Sequence, residues 1–193
     1  MASEGQAQGA TPLDEDEAEG LIPDLHTRGE LNAWELGNIL KAEEWAFSGR
    51  RGDILTIDFA KELHRRMLDE TWTWAGEFRP SDKNIGVHWA AITSALRDLM
   101  DDTRHWIGHS TYPPDEILAR FHPRLVSIHP FLNGNGRHAR LMADVLGSVM
   151  GWAPLTWGRG NLEIAGDART LYLAALKQAD KGHIEPLVGF IRS

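Results

Sequence analysis

The chain has no cysteine, which removes disulfides, thiolate metal sites and cysteine nucleophiles together. No uninterrupted apolar run approaches the roughly 20 residues a membrane helix needs. The start, Met1-Ala2-Ser3-Glu4-Gly5, lacks the basic and apolar regions of a signal peptide. The expectation is a cytoplasmic protein with no membrane partner; an effector exported by another route is the alternative. A broad excess of Lys and Arg is also missing. The formal net charge of −8 argues against a phosphate-backbone binder, and so against nucleic acid as a partner. Internal repeats are absent and strand signals are few.

What is there suits a packed helical globule. A chain of 193 residues has room for one domain with a substantial core, and 42% hydrophobic residues with eight tryptophans argue against a disordered chain. Residues 1–20 are rich in Gly, Ala, Asp and Glu without apolar periodicity, and read as a flexible acidic N-terminal tail ahead of a single domain over 21–193. Thr27 and Glu30 have capping-box spacing ahead of Leu31, Trp34, Ile39, Leu40 and Trp45, which predicts a first helix ending near Phe47. A second helix is predicted from Thr56, with Phe59, Leu63 and Met67 on one face, running into the Trp72–Trp74 region. Gly76 to Gly86 has too many breakers for a helix and reads as a loop or short hairpin.

Further helices are predicted from Ile92 to near Gly108, from Pro113-Pro114-Asp115 through Leu125, from about Gly136 toward Gly151, from about Asp167 to Asp180, and from Pro186. Pro123 should kink or break the helix that contains it, since an interior proline costs about 3 kcal/mol. The architecture expected is an all-α bundle with one short β-hairpin.

One stretch concentrates chemistry. Residues 129–140 read His-Pro-Phe-Leu-Asn-Gly-Asn-Gly-Arg-His-Ala-Arg. A histidine exchanges protons near neutral pH, N–H groups around Gly134 and Gly136 can bind phosphate oxygens, and Arg137 and Arg140 can neutralise them from one helix face. No acid lies between Arg137, His138 and Arg140, so a small polyphosphate is the natural ligand of that patch.

This stretch resembles the signature of the Fic (Fido) family, His-Pro-Phe-x-(Asp/Glu)-Gly-Asn-Gly-Arg-x-x-Arg, at every fixed position but Asn133. The resemblance continues in Trp74-Ala75-Gly76-Glu77-Phe78-Arg79 and Asn84-Ile85-Gly86-Val87, which look like the stretch leading into the substrate-positioning flap. With Gly9 to Leu13, Ala42 to Phe47 and the closing helices within Leu171 to Ile191, the chain is most similar to the subgroup called mobile mystery protein B. It implies a Fic-type all-α bundle with a β-hairpin flap and a protein adenylyltransferase. In that activity His129 is the general base that frees a Ser, Thr or Tyr hydroxyl of a target protein to attack the α-phosphate of ATP. Gly134, Asn135 and Gly136 form the phosphate cradle, Arg137 and Arg140 clamp the phosphates, and Phe131 plugs the loop.

The resemblance also implies Mg²⁺, with Asn133 as its ligand in place of the usual carboxylate; a neutral amide oxygen is the weaker partner for a hard cation. Phosphorylating relatives carry Lys where this chain has Gly136, which favours nucleotidyl transfer. The rivals are phosphorylation, UMP transfer or AMP removal at the same site, and a non-catalytic nucleotide-binding module of a toxin–antitoxin pair.

Many family members are restrained by a glutamate that pairs with the second arginine, here Arg140. Glu35 and Glu15, the latter within Thr11 to Asp16, are partial matches to that motif, and a separate antitoxin or inhibitory chain is the alternative. The pattern Gly134-x-Gly136-x-x-Ala139 also fits a dinucleotide fold, but no acid lies in Pro154 to Gly160 and the βαβ layout is missing. His105 and His109 read as solvated helix-end residues, His26, His64, His88 and His183 as surface or satisfied buried ones, and the tryptophans as packing.

Overall fold

The computed structural model describes residues 19–25, 28–49, 51–163 and 166–193. Most of the tail, Thr27 of the predicted capping box, His26 and the Thr11–Asp16 segment lie outside them. Seven α-helices follow in order: α1 (Arg28–Phe47), α2 (Ile57–Leu68), α3 (Ile92–Gly108), α4 (Pro114–Ile128), α5 (Asn135–Val149), α6 (Asp167–Ala179) and α7 (Glu185–Phe190).

Their limits have local causes. Thr56 caps α2, its Oγ1 accepting from the Phe59 N–H at 3.1 Å. The helix stops at Leu68 and does not run on to Trp72; the next stretch forms turns whose N–H groups bond back to Leu68. Pro114 opens α4 at a position where its missing N–H is harmless. Pro123 does not break the helix: α4 runs on past it to Ile128. Phe121 and Leu125 on either side are buried, and burying each contributes about 1.5–3 kcal/mol, enough to offset the lost bond.

Helix α4 packs on α3 to one side and α5 to the other, α1 lies on α2, and α7 closes against α6. One core runs from Leu31 through Leu63, Phe121, Met142 and Leu146 to Ile191. Helix α1 is moored to the turn after α2 by side chains one turn apart. Trp34 Nε1 donates to the Glu70 carbonyl at 3.1 Å, and Asn38 Oδ1 accepts from the Glu70 N–H at 3.0 Å and the Thr71 hydroxyl at 3.1 Å.

No hairpin forms in the Gly76–Gly86 segment. Among the described residues the backbone pairs only at two isolated bridges, Leu21 with Trp72 and Phe78 with Phe131. Residues 78–87 form an irregular flap bonded across the loop that follows α4: the Arg79 N–H donates to the Pro130 carbonyl at 3.0 Å and the Val87 N–H to the Ile128 carbonyl at 3.3 Å. Those groups are spent on another segment, so no internal ladder can close.

Candidate active site

Pro130 cannot continue α4, and the chain turns at His129, which takes the left-handed conformation (φ 52°, ψ 60°). A residue with a Cβ is strained there by roughly 1–2 kcal/mol. The surroundings hold it in place. Arg79 Nε donates to the His129 carbonyl at 2.7 Å, and the flap bonds Ile128 and Pro130 on either side. His129 is 6% exposed and its Nδ1 is fully buried. The Val126 carbonyl lies against the ring, which leaves Nε2 as the nitrogen that can meet an incoming hydroxyl.

Beneath the loop lies an aromatic support. His64 stacks on Phe131 with ring centroids 3.6 Å apart and planes 11° from parallel, and His138 meets both edge-on. His64 Nδ1 accepts from the Gly76 N–H at 2.9 Å, so the ring is neutral and its Nε2–H donates to the Asn133 carbonyl at 3.0 Å. His138 Nε2 donates to the Ala60 carbonyl at 2.9 Å. Of the two sequence readings of His64, surface or satisfied and buried, the structure shows the second, and neither says what the residue does, which is to position the signature loop.

Asn135 is spent on the same task. Its Oδ1 accepts from the Phe131 N–H at 2.9 Å and its Nδ2 donates to the Phe131 carbonyl at 2.8 Å. Asn133 Oδ1 accepts from the Gly134 N–H at 2.6 Å.

Gly134 has φ +74°, which favours glycine, and a Cβ there would stand 3.0 Å from the end of the Leu68 side chain, which would have to shift. Helix α5 then begins without a capping side chain, its first intrahelical bond running from the His138 N–H to the Gly134 carbonyl at 2.9 Å. The N–H groups of Asn135, Gly136 and Arg137 come before that bond, and with the helix dipole they give an end of the kind that suits an anion. A Cβ on Gly136 would meet only the Arg140 guanidinium, at 3.8 Å, so the approach is open.

Both arginines already hold carboxylates. Arg137 pairs with Glu35 at 2.8 Å, and the other oxygen of Glu35 accepts from Trp72 Nε1 at 2.8 Å. Arg140 pairs with Glu163, whose carboxylate also stands 4.0 Å from Arg137 Nε. Glu35 thus meets the first arginine, where the sequence reading put it on the second. Position 35 of α1 faces the start of α5, where Arg137 is nearer. Glu163 carried no signal at all in the sequence. Cavities of about 220 Å³ and 190 Å³ lie by the start of α2 and the ends of α1 and α5, away from the signature. The two arginines beside the start of α5 are held by glutamates.

Burial sets the protonation of this region. It lowers the His129 pKa to about 4, with the Arg79 charge adding to the effect. Burial likewise lowers His138 to about 4 and His122 to about 3, and holds His64 well below its ordinary value. It raises Asp144, which accepts from Trp157 Nε1 at 3.0 Å, to about 7.

The sign for stability follows. Below pH 6.5 the unfolded chain protonates these four histidines while the folded chain does not, so stability falls as pH drops from about 6.5 toward 4. Asp144 acts oppositely, because folded protein keeps its proton up to about pH 7 and gains stability as pH falls toward 3.8. Four groups outweigh one, and at about 1.4 kcal/mol per proton per pH unit the net loss by pH 5 reaches several kcal/mol. Urea unfolding at pH 7.5, 6 and 5 should show a steadily falling midpoint; a constant midpoint would contradict this account.

His105 and His109 stack at 4.1 Å at the C-terminal end of α3, both exposed. Among the described residues no three His, Asp or Glu side chains gather as a metal site, and no helix is long and apolar enough to cross a membrane.

Comparison with known proteins agrees with this geometry. Residues 54–146 match the profile of the Fic/DOC family. Over 141 residues, 71% of this chain, the sequence is 35% identical to Protein adenylyltransferase Fic of Drosophila virilis and covers 28% of that protein. The chain therefore spans under a third of the length of this relative. Among solved structures, the N-terminal FIC domain of the effector Bep8 from Bartonella sp. 1-1C superposes with a TM-score of 0.69 at 18% identity, covering 87% of this chain and 86% of that one. Fic-1 of C. elegans (residues 134–508) superposes at 0.63 with 26% identity, covering 91% of this chain and 51% of that one. Residues 54–146, which hold the signature turn, its aromatic support and the uncapped start of α5, form a Fic/DOC-family domain.

Proposed function

We propose that this protein is an adenylyltransferase that moves AMP from ATP to a Ser, Thr or Tyr hydroxyl of a target protein. The observation that carries the reading is the juxtaposition of the His129 ring with an uncapped helix start across a single braced turn. His129, neutral at pH 7, takes the hydroxyl proton. The freed oxygen bonds to the α-phosphorus, the bond from that phosphorus to the bridging oxygen breaks, and pyrophosphate leaves. Gly134, Asn135, Gly136, Arg137 and Arg140 hold the phosphates, the Asn135 contribution coming from its backbone because its side chain is committed to Phe131. Residues 21–193 act as one domain in this reading, in keeping with the single core. A cytoplasmic location, where ATP is plentiful, goes with it.

Mg²⁺ would arrive with the triphosphate and screen its charge. Asn133 Oδ1 would be its one ligand from the signature, a neutral oxygen already shared with the Gly134 N–H at 2.6 Å. Asn133→Asp is therefore expected to strengthen Mg²⁺-dependent transfer and to lower the Mg²⁺ concentration for half-maximal rate by roughly tenfold, in line with the usual preference of hard cations for carboxylates. Titrating Mg²⁺ in both variants checks this, and identical curves would remove Asn133 from the metal's coordination.

An inhibitory partner chain stays compatible with the reading, but Glu35 already places a carboxylate on Arg137 from within. ATP labelled at the α- or the γ-phosphate tests the reaction class in cell lysate. Label retained on protein from the α position alone supports AMP transfer. Retention from the γ position alone replaces it with phosphorylation, and retention from neither, with ATP still bound, leaves a nucleotide-binding module.

A further inference from the structure

The flap and the signature loop meet at a guanidinium that is 1% exposed, that of Arg79. Its Nε donates to the His129 carbonyl at 2.7 Å, one terminal nitrogen donates to the Ser81 carbonyl at 2.7 Å, and the other donates to the Val87 carbonyl. The nearest carboxylate, Asp82, stands 3.7 Å away and is half exposed, so the buried cation is satisfied by main-chain oxygens. We propose that Arg79 is a positioning residue that fixes both ends of the flap to the turn carrying His129, so that an acceptor hydroxyl laid along the flap arrives at the base.

This rests on the transferase reading above. A core arginine with a purely structural part would be expected to bind helix ends or a buried acid. Here every acceptor lies in the flap or at His129 itself. The backbone repeats the pattern, since the N–H groups of Arg79 and Val87 donate to Pro130 and Ile128, the residues flanking His129. Between the fixed ends Asn84 is exposed and Ile85 is 56% exposed.

Gly86 completes the arrangement. It has φ +106°, and a Cβ there would come within 2.7 Å of the Arg79 guanidinium and 2.8 Å of the His129 Cβ, so only glycine lets the flap lie this close. A planar fork with five N–H donors can span three carbonyls in different directions, whereas an ammonium cannot match that geometry.

The test compares full-length wild type, Arg79→Lys, Arg79→Met and His129→Ala by three readouts: amide hydrogen exchange over residues 78–87, binding of a non-hydrolysable ATP analogue, and transfer of α-phosphate label from ATP to lysate proteins. Both Arg79 variants should exchange faster across the flap with analogue affinity kept. Transfer should drop about 100-fold in the Lys variant, the scale of a misplacement of about 1 Å, and further in the Met variant. His129→Ala should lose transfer with flap exchange unaltered. Wild-type exchange rates in Arg79→Lys overturn the clamp, and faster exchange with undiminished transfer overturns the positioning role. Analogue affinity falling in step with transfer overturns it too, by making Arg79 a residue of general stability. A wild type that binds the analogue but labels no protein refutes the transferase reading, and the exchange arm then decides the clamp by itself.

Discussion

His129→Ala is expected to reduce AMP transfer by about 10²- to 10⁴-fold, the range general-base assistance supplies, while nucleotide binding survives. The separation follows from where the contacts lie. The bond that pins this turn to Arg79 is accepted by the His129 backbone carbonyl, which alanine retains. The uncapped start of α5 and its two arginines are also left in place. Alanine leaves the strained φ of 52° unrelieved. The measurement is α-phosphate label on protein at saturating ATP, with affinity for a non-hydrolysable analogue read in parallel. Labelling at the wild-type level would take His129 out of the mechanism.

Glu35→Gln should act in the opposite direction, tightening nucleotide binding by about 5- to 150-fold, the usual span of a coupling free energy of 1–3 kcal/mol. In the wild type an incoming phosphate must displace a carboxylate that Arg137 holds at 2.8 Å and that Trp72 Nε1 steadies from the other side. The amide oxygen of glutamine keeps the Trp72 bond and removes the charge. Arg137→Met is not an equivalent change. It would leave the Glu35 carboxylate, 5% exposed, without its cation, and breaking a buried pair in that way typically destabilises by about 3–5 kcal/mol. Calorimetric titration of both variants with the ATP analogue separates the effects. Equal affinity in Glu35→Gln and wild type would mean that the ion pair does not compete with nucleotide.

The two glutamates differ in how firmly they hold. Glu35 is buried, whereas the Glu163 side chain is half exposed, and salt screens an exposed pair most. Glu163 should therefore yield first to a triphosphate, leaving Glu35 as the main obstacle.

Much of the fold was legible along the chain. Thr56 before a helical repeat, Pro114 at a first turn and Pro130 after a last one mark boundaries through interactions spanning four residues or fewer, and the helices begin and end close to those marks. The chemical content of the site was legible for the same reason, because the histidine, the glycines and both arginines fall within twelve consecutive positions. Where the reading failed, a longer-range term decided. Burial of Phe121 and Leu125 keeps α4 continuous through Pro123, and cross-bonding to the signature loop stops the flap from closing as a hairpin. Arg79 was visible only as part of a stretch leading into that flap.

By itself the sequence determined an all-α chain with a Fic/DOC-family domain and a base, an anion cradle and two cations in a single turn. Tertiary structure alone decided the state of that turn. The patch without acids in sequence receives Glu35 from 102 residues away and Glu163 from 23, and His129 loses basicity to burial and to Arg79, 50 residues distant. Capping and periodicity depend on covalent neighbours and can be read from order. Charge pairing and desolvation depend on which helices pack together, which the order of residues does not state.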